Sequence, residues 1–173
     1  MEPSVTETKR NPDIRPIEKA DLKYVTQSWL YDYQESPEMR QPGLINDDYF
    51  GYQHKLIDDI LPRASQAGSA YMMNEPGHPH LYRGWLVAEP FDGLPVVHFI
   101  KVKKGAMRQG VATALMERFY DDFGYTKGQN CVYTHSAKDI VRHKWLREKM
   151  VKEWSAVYLP WFKYTLAEPG WEK

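Results

Sequence analysis

The hydrophobic period of the chain switches at Gly110, and that switch restricts the fold more than any other feature. Ahead of it, "VVHFIKV" (96–102) is a short apolar run, and Asp92-Gly93 before that run favours the tight turn of an antiparallel hairpin. Behind it, Val111, Ala112, Leu115, Met116, Phe119 and Phe123 share one helical stripe, with Glu117, Arg118, Asp121 and Asp122 on the opposite face. A hairpin of 82–89 with 96–102 is therefore expected to lead, through a short loop, into a helix opening at Gly110.

The remaining segments can be placed around that unit. "DIRPIEKADL" reads as a short edge strand, since Pro16 donates no ladder hydrogen bond. Asp21 then caps a helix through Leu22, Val25, Trp29 and Tyr33. A second helix is expected from about Asp47 to Leu61, ended by Pro62. "SAYMM" and "LYRGWLVAE" read as strands separated by the turn-rich "NEPGHPH". "NCVYTH" is a fifth strand, 137–154 a further helix, and "VYLPWFKYTL" strand-like sequence broken by Pro160. The order β-α-α-β-β-β-α-β-α-β predicts an α+β (α/β-like) domain, a mixed sheet covered by helices. Residues 1–12 are polar and expected to be flexible, leaving 13–173 as a single domain.

Composition narrows the function classes. Lys+Arg and Asp+Glu both total 23, so no global charge points to nucleic acid or a membrane surface, and any anion site must be local. One cysteine, Cys131, allows no intrachain disulfide, and no apolar run approaches membrane-spanning length. A cytoplasmic protein, monomeric or homodimeric, is expected.

The loop before Gly110 supplies such a local site. A helix's first turn carries N–H groups without intrahelical partners and the positive end of its dipole, so it suits an anion. Gly110 lets a backbone or phosphate come close, Ala112 keeps the next turn low, and Thr113 adds a hydroxyl. Lys101, Lys103, Lys104 and Arg108 add positive charge nearby. The alternative is a plain strand–turn–helix connection with a packing glycine, and the loop has too few glycines for a nucleotide-binding fingerprint.

The stretch Met107-Arg108-Gln109-Gly110-Val111-Ala112 resembles motif A of the GNAT acetyltransferase superfamily, a Gln/Arg-x-x-Gly-x-Gly/Ala sequence opening the helix after the fourth strand. "IRPIEKADL" is similar to the family's first strand and helix entry, "RGWLVAE…VVHFIKV" to its central hairpin, and the element order matches over about residues 13–166. Met107 departs from the pattern at its first position. The resemblance implies a GNAT-type, mostly antiparallel mixed sheet with helices on both faces. It also implies acetyl-CoA as co-substrate, its pyrophosphate on N–H groups from Arg108 through Gln109, Gly110, Val111 and Ala112 to Thr113. The pantetheine arm would pair with the strand edge at Ile100, Lys101 and Val102, where the family splays its fourth and fifth strands. Small phage-encoded members are similar in kind, which would place the chain in a host cytoplasm.

Acetyl transfer to an amine needs a base, N–H donors for the oxyanion and an acid for the leaving thiolate. A backbone N–H at Val102 could serve the oxyanion. His98 is the candidate base: it lies four residues before Val102, on the same face by the period of two, and a member of the family carries a catalytic histidine at that spacing. A satisfied histidine in a half-buried strand is the competing reading. Glu89 is a second candidate, for the base or for contact with the acceptor, against a solvated residue beside its turn. For the acid, the family's tyrosine is missing from "HKWLREKM", which leaves His143 and Tyr133. Trp29 and Tyr33, on the helices the family uses around its acceptor, would line that pocket unless they are core. The "HPH" at 78–80 lacks further metal ligands and reads as loop, so no metal is expected. A small-molecule acceptor is favoured, a protein acceptor left open. A non-catalytic partner-binding module and an acyl-CoA sensor are the competing functions.

Overall fold

A computed structural model describes residues 11–36, 39, 46–138, 143–160 and 162, residues 46–48 by their backbone alone. Chain order is β1 (Ile14–Pro16), α1 (Leu22–Gln34), α2 (Asn46–Ala67), β2 (Ala70–Glu75), β3 (His78–Phe91), β4 (Leu94–Val102), α3 (Val111–Phe123), β5 (Cys131–Tyr133), α4 (Lys144–Trp154) and β6 (Ala156–Tyr158). This is the order expected from the sequence. The sheet runs β1-β2-β3-β4-β5-β6, antiparallel through β4, with β5 and β6 added in parallel.

Several boundaries differ from the sequence reading, among them the start of α4, which opens at Lys144 after an extended His143 where a helix from 137 was expected, with 139–142 outside the described residues. Helix α2 does not stop at Pro62 but carries it inside. Leu56, Ile57, Ile60, Leu61 and Ala64 are all buried on either side of the proline. Burying large apolar side chains yields roughly 1.5–3 kcal/mol each, which outweighs the roughly 3 kcal/mol a mid-helix proline costs. The segment 74–80 is not all turn either. Glu75 pairs with His78 across Pro76-Gly77, so "HPH" opens β3 instead of forming a loop. The Asp92-Gly93 hairpin forms as expected, with φ of 48° and 77°, the left-handed pair that matches strand twist.

The helices divide between the two faces. Trp85, Val87 and Phe99 point to the side covered by α1 and α2, where Trp29, Tyr33, Ile57, Ile60 and Leu61 complete a core. Leu86, Ala88 and Val97 point to the other side, against Val111, Leu115, Phe119 and Trp154 of α3 and α4. At Gly84 a Cβ would lie 2.5 Å from the Lys101 carbonyl oxygen and 2.9 Å from Val111 Cγ1. The β4 backbone on one side and the Val111 methyl of α3 on the other leave room only for glycine. Gly84→Ala is expected to lose about 1–3 kcal/mol of stability by overpacking, read from chemical denaturation.

The ladder between β3 and β4 is offset by one residue. Val87 faces Phe99 while Ala88 faces Val97, so His98 is the extra residue of a β-bulge. Counting by twos places His98 on the face of Val102. The bulge breaks that count and turns His98 away from the α3 side, where Val102 packs, toward the α1–α2 side.

Candidate functional site

The sheet opens where β4 and β5 part. They pair only at Val96 with Val132 and Val97 with Tyr133, and the Thr134 amide then donates to the Val97 carbonyl at 3.1 Å. Beyond that point β4 continues to Val102, whereas β5 has ended. The Lys103 amide donates to the Arg83 carbonyl at 2.8 Å, which fixes the alternation of the β3–β4 ladder. Phe99 and Lys101 therefore turn their amides to β3, and Ile100 and Val102 turn theirs into the gap. The gap deepens into a cleft between α3 and α4, with Met116, Met150 and Trp154 among its lining.

At the mouth of this cleft lies the loop that opens α3. Arg108 and Gly110 both take left-handed conformations, with φ of 63° and 78°. The first intrahelical bond closes from the Ala114 amide to the Gly110 carbonyl, and no side chain caps the N-terminus. The N–H groups of Val111, Ala112 and Thr113 precede that first bond and lack intrahelical acceptors. Gly110, Val111, Ala112 and Thr113 all line the cleft. Thr113 Oγ1 is buried there with no hydrogen-bond partner among the described residues.

The cations predicted around the loop are only partly available. Lys101 Nζ is bound to Asp32 Oδ2 at 2.6 Å, and Lys103 lies over the Tyr82 ring. Arg108 stacks its guanidinium over Trp145 of α4, 4.6 Å from the ring centroid, across the mouth. Gln109 bonds Arg83 and the Gly105 carbonyl, so its side chain turns away. Lys104 is exposed, and Lys149, which sequence reasoning missed, adds a cation from α4 that also stands 3.8 Å from Glu153 Oε2.

A second group of polar side chains lies at the inner end, where the strands part. Arg63 of α2 grips Glu89 of β3 at 2.7 and 3.2 Å. Glu89 Oε2 stands 3.4 Å from His98 Nε2, and His98 Nδ1 meets Thr134 Oγ1 at 3.0 Å. Thr134 Oγ1 in turn meets His135 Nδ1 at 2.8 Å. Glu89, His98, Thr134 and His135 are all buried, and both histidines line the cleft. The expectation of a solvated Glu89 is corrected: it is 5% exposed and held by two partners. Burial alone would raise its pKa, but hydrogen bonds from His98 and Arg63 outweigh that and hold it below the ordinary carboxylate value.

The other predicted site residues separate. Tyr133 lines the cleft with its ring against Tyr158. His143 is the extended residue just before α4, beside Trp145, and does not line the cleft. Trp29 and Tyr33 do not form a pocket wall. Both are fully buried, packed against Phe99 and His135, because α1 lays its apolar stripe directly on the sheet. Residues 37, 38 and 40–45, between α1 and α2, lie outside the described residues. Among the described residues no cluster of three or more His, Cys, Asp or Glu could hold a metal, and no helix is long and apolar enough to cross a membrane.

A six-stranded mixed sheet split at its parallel junction, with a helix N-terminus at the mouth of the split, defines the class of architecture. No protein-family model matches the sequence, and no curated protein matches it. Solved structures similar to it include the NatC complex bound to Gag peptide and CoA, at 16% identity and a TM-score of 0.41. That match covers 64% of this chain and 65% of the other, just under two thirds of its length. Another is AAC(6')-Iy in complex with the bisubstrate analogue CoA-S-monomethyl-acetylneamine, at 17% identity and a TM-score of 0.39, covering 78% of this chain and 86% of that one. Neither bears on a phage origin.

Proposed function

We propose that this chain is an acyltransferase of the GNAT type, moving an acetyl group from acetyl-CoA to an amine or hydroxyl of an acceptor, with direct attack in a ternary complex. The observation that carries the reading is the gap beside β4, where the amides of Ile100 and Val102 face an apolar cleft whose mouth is an uncapped helix N-terminus. The residues present fit the coenzyme on their own chemistry. The amides of Val111, Ala112 and Thr113 and the orphaned Thr113 hydroxyl suit a pyrophosphate, and the backbone of Ile100 and Val102 suits an amide-bearing arm. When bound, the coenzyme supplies an activated thioester.

The chain's own contribution is placement and proton handling. The Val102 amide, turned into the gap, is positioned for an oxyanion. His98, at the bulge, takes the acceptor's proton directly or through a neighbour. A small-molecule acceptor is the favoured class, and the apolar, aromatic surroundings of the inner end support it.

The test is thermal stabilisation by coenzyme A, followed by release of free thiol from acetyl-CoA across a panel of amines. Stabilisation without turnover on any amine would point to an acyl-CoA sensor, and neither effect would sink the reading. In a protein that does turn over, His98→Ala is expected to lower the rate about a hundredfold while coenzyme affinity stays near wild type. An unchanged rate at neutral pH removes His98 from the mechanism.

A further inference from the structure

We propose that His135 is the base that meets the acceptor, and that Thr134 is a positioning residue whose hydroxyl links His135 to a proton store at His98 and Glu89. This rests on the acyltransferase reading above. The reason lies in how few protons the line of side chains contains.

Thr134 Oγ1 touches two imidazole nitrogens, His98 Nδ1 and His135 Nδ1, at 3.0 and 2.8 Å. A hydroxyl has one proton to donate and can also accept, so one imidazole must receive its proton and the other must donate to it. Glu89 decides which. Its carboxylate faces His98 Nε2 at 3.4 Å and favours the proton on that nitrogen. Neutral His98 then accepts at Nδ1 from Thr134, and Thr134 accepts from the Nδ1–H of His135. In a neutral His135 the proton-free nitrogen is Nε2. The arrangement thus selects the tautomer in which His135 can act as a base, and His135 lines the cleft where β4 and β5 separate.

The proton inventory of the transfer closes on this line. The acceptor nitrogen gives a proton to His135 Nε2. The Nδ1 proton of His135 passes to Thr134 and the Thr134 proton to His98 Nδ1, leaving an imidazolium against Glu89. The new C–N bond forms as the thioester C–S bond breaks. The proton then returns by the same path to the departing sulfur, so an amine and a thioester become an amide and a thiol. Arg63 keeps the Glu89 carboxylate in place from α2. Other charged or titratable groups at this end are Tyr33, whose ring lies 4.7 Å from that of His135, and Asp32, Lys101 and Lys138 on the cleft wall.

Long-range proton–nitrogen spectra of the full chain with labelled histidine read the tautomers directly, with His98→Gln and His135→Gln giving the assignments. The expected result is Nε2–H on His98 and Nδ1–H on His135 at neutral pH. Thr134→Val should release His135 into a mixture of tautomers and move the acidic limb of its rate profile. It should lower kcat about tenfold, leave KM for acetyl-CoA within about twofold, and be rescued by Thr134→Ser. An Nδ1–H tautomer on His98, a His135 tautomer indifferent to Thr134→Val, or wild-type turnover by His135→Gln would each overturn the proposal. Coenzyme A binding by the wild-type chain is scored separately. Its loss would end the acyltransferase reading and His135's catalytic role with it, while the spectra would still report whether the hydrogen-bonded line exists.

Discussion

Gly110→Glu is expected to abolish coenzyme A binding, while Gly110→Asn weakens it by only about tenfold. The two variants share a backbone demand and differ in charge. At φ of 78° Gly110 occupies the left-handed region, where an ordinary L-residue loses roughly 1–2 kcal/mol and Asn is the side chain best able to follow. A Cβ built at Gly110 meets no heavy atom within 4 Å, so the folded chain has room for either side chain. What Glu adds is a carboxylate at the N-terminus of α3, in the space proposed for a pyrophosphate, and like charges at such a distance exclude one another. Isothermal titration with coenzyme A reads the result, and near-ultraviolet circular dichroism checks that both variants remain folded. A Gly110→Glu protein that binds as wild type does would move the anion site away from this helix.

The second large effect is on stability. Glu89→Ala is expected to cost about 3 kcal/mol, the low end for a broken buried pair, because it leaves half-buried Arg63 without its counter-charge and buried His98 Nε2 without its acceptor. Glu89→Gln should cost less, since the amide still accepts hydrogen bonds. The pH dependence has a definite sign. The folded carboxylate titrates below its ordinary value of 4.5, so the unfolded chain binds the proton more readily. The contribution of Glu89 is therefore fully present above about that value and is lost as pH falls through the lowered folded one. Urea unfolding from neutral pH into the acid range should show this slope in the wild type and a shallower one in Glu89→Gln. Equal slopes would mean the Glu89 carboxylate is not stabilised by folding.

Much of the frame was legible because it is written in local periodicity. The Asp92-Gly93 turn, the stripe from Val111 to Phe123 and the edge strand marked by Pro16 each depend on neighbours a few residues apart. Pro62 misled because its local cost is fixed, while the burial that offsets it comes from the sheet beneath α2. The inner polar line was not legible for a different reason. Arg63, Glu89 and His98 come from α2, β3 and β4 and Thr134 from the residue after β5, and a bulge at His98 decides which way it faces. Nothing in the spacing of "VVHFIKV" announces that extra residue. The buried role of Trp29 followed the ordinary helical stripe, so the simpler of its two readings was the right one. Thr134-His135, at the end of the fifth strand, carried the one available signal: two polar side chains just where an apolar strand stops.

The parallel attachment of β5 and β6 also sets them apart from the rest of the sheet in how far along the chain their partners lie. Strands β2, β3 and β4 are joined by tight turns, and their contacts are close in sequence. The three-residue strands β5 and β6 each reach their partner only across an intervening helix, an entropically demanding closure. One wall of the cleft therefore belongs to two short strands with non-local pairing, the kind that opens locally at lower cost, while the other belongs to strands paired through tight turns. A ligand wedged between them would act as a clasp, and its largest effect on local opening would fall on β5 and β6.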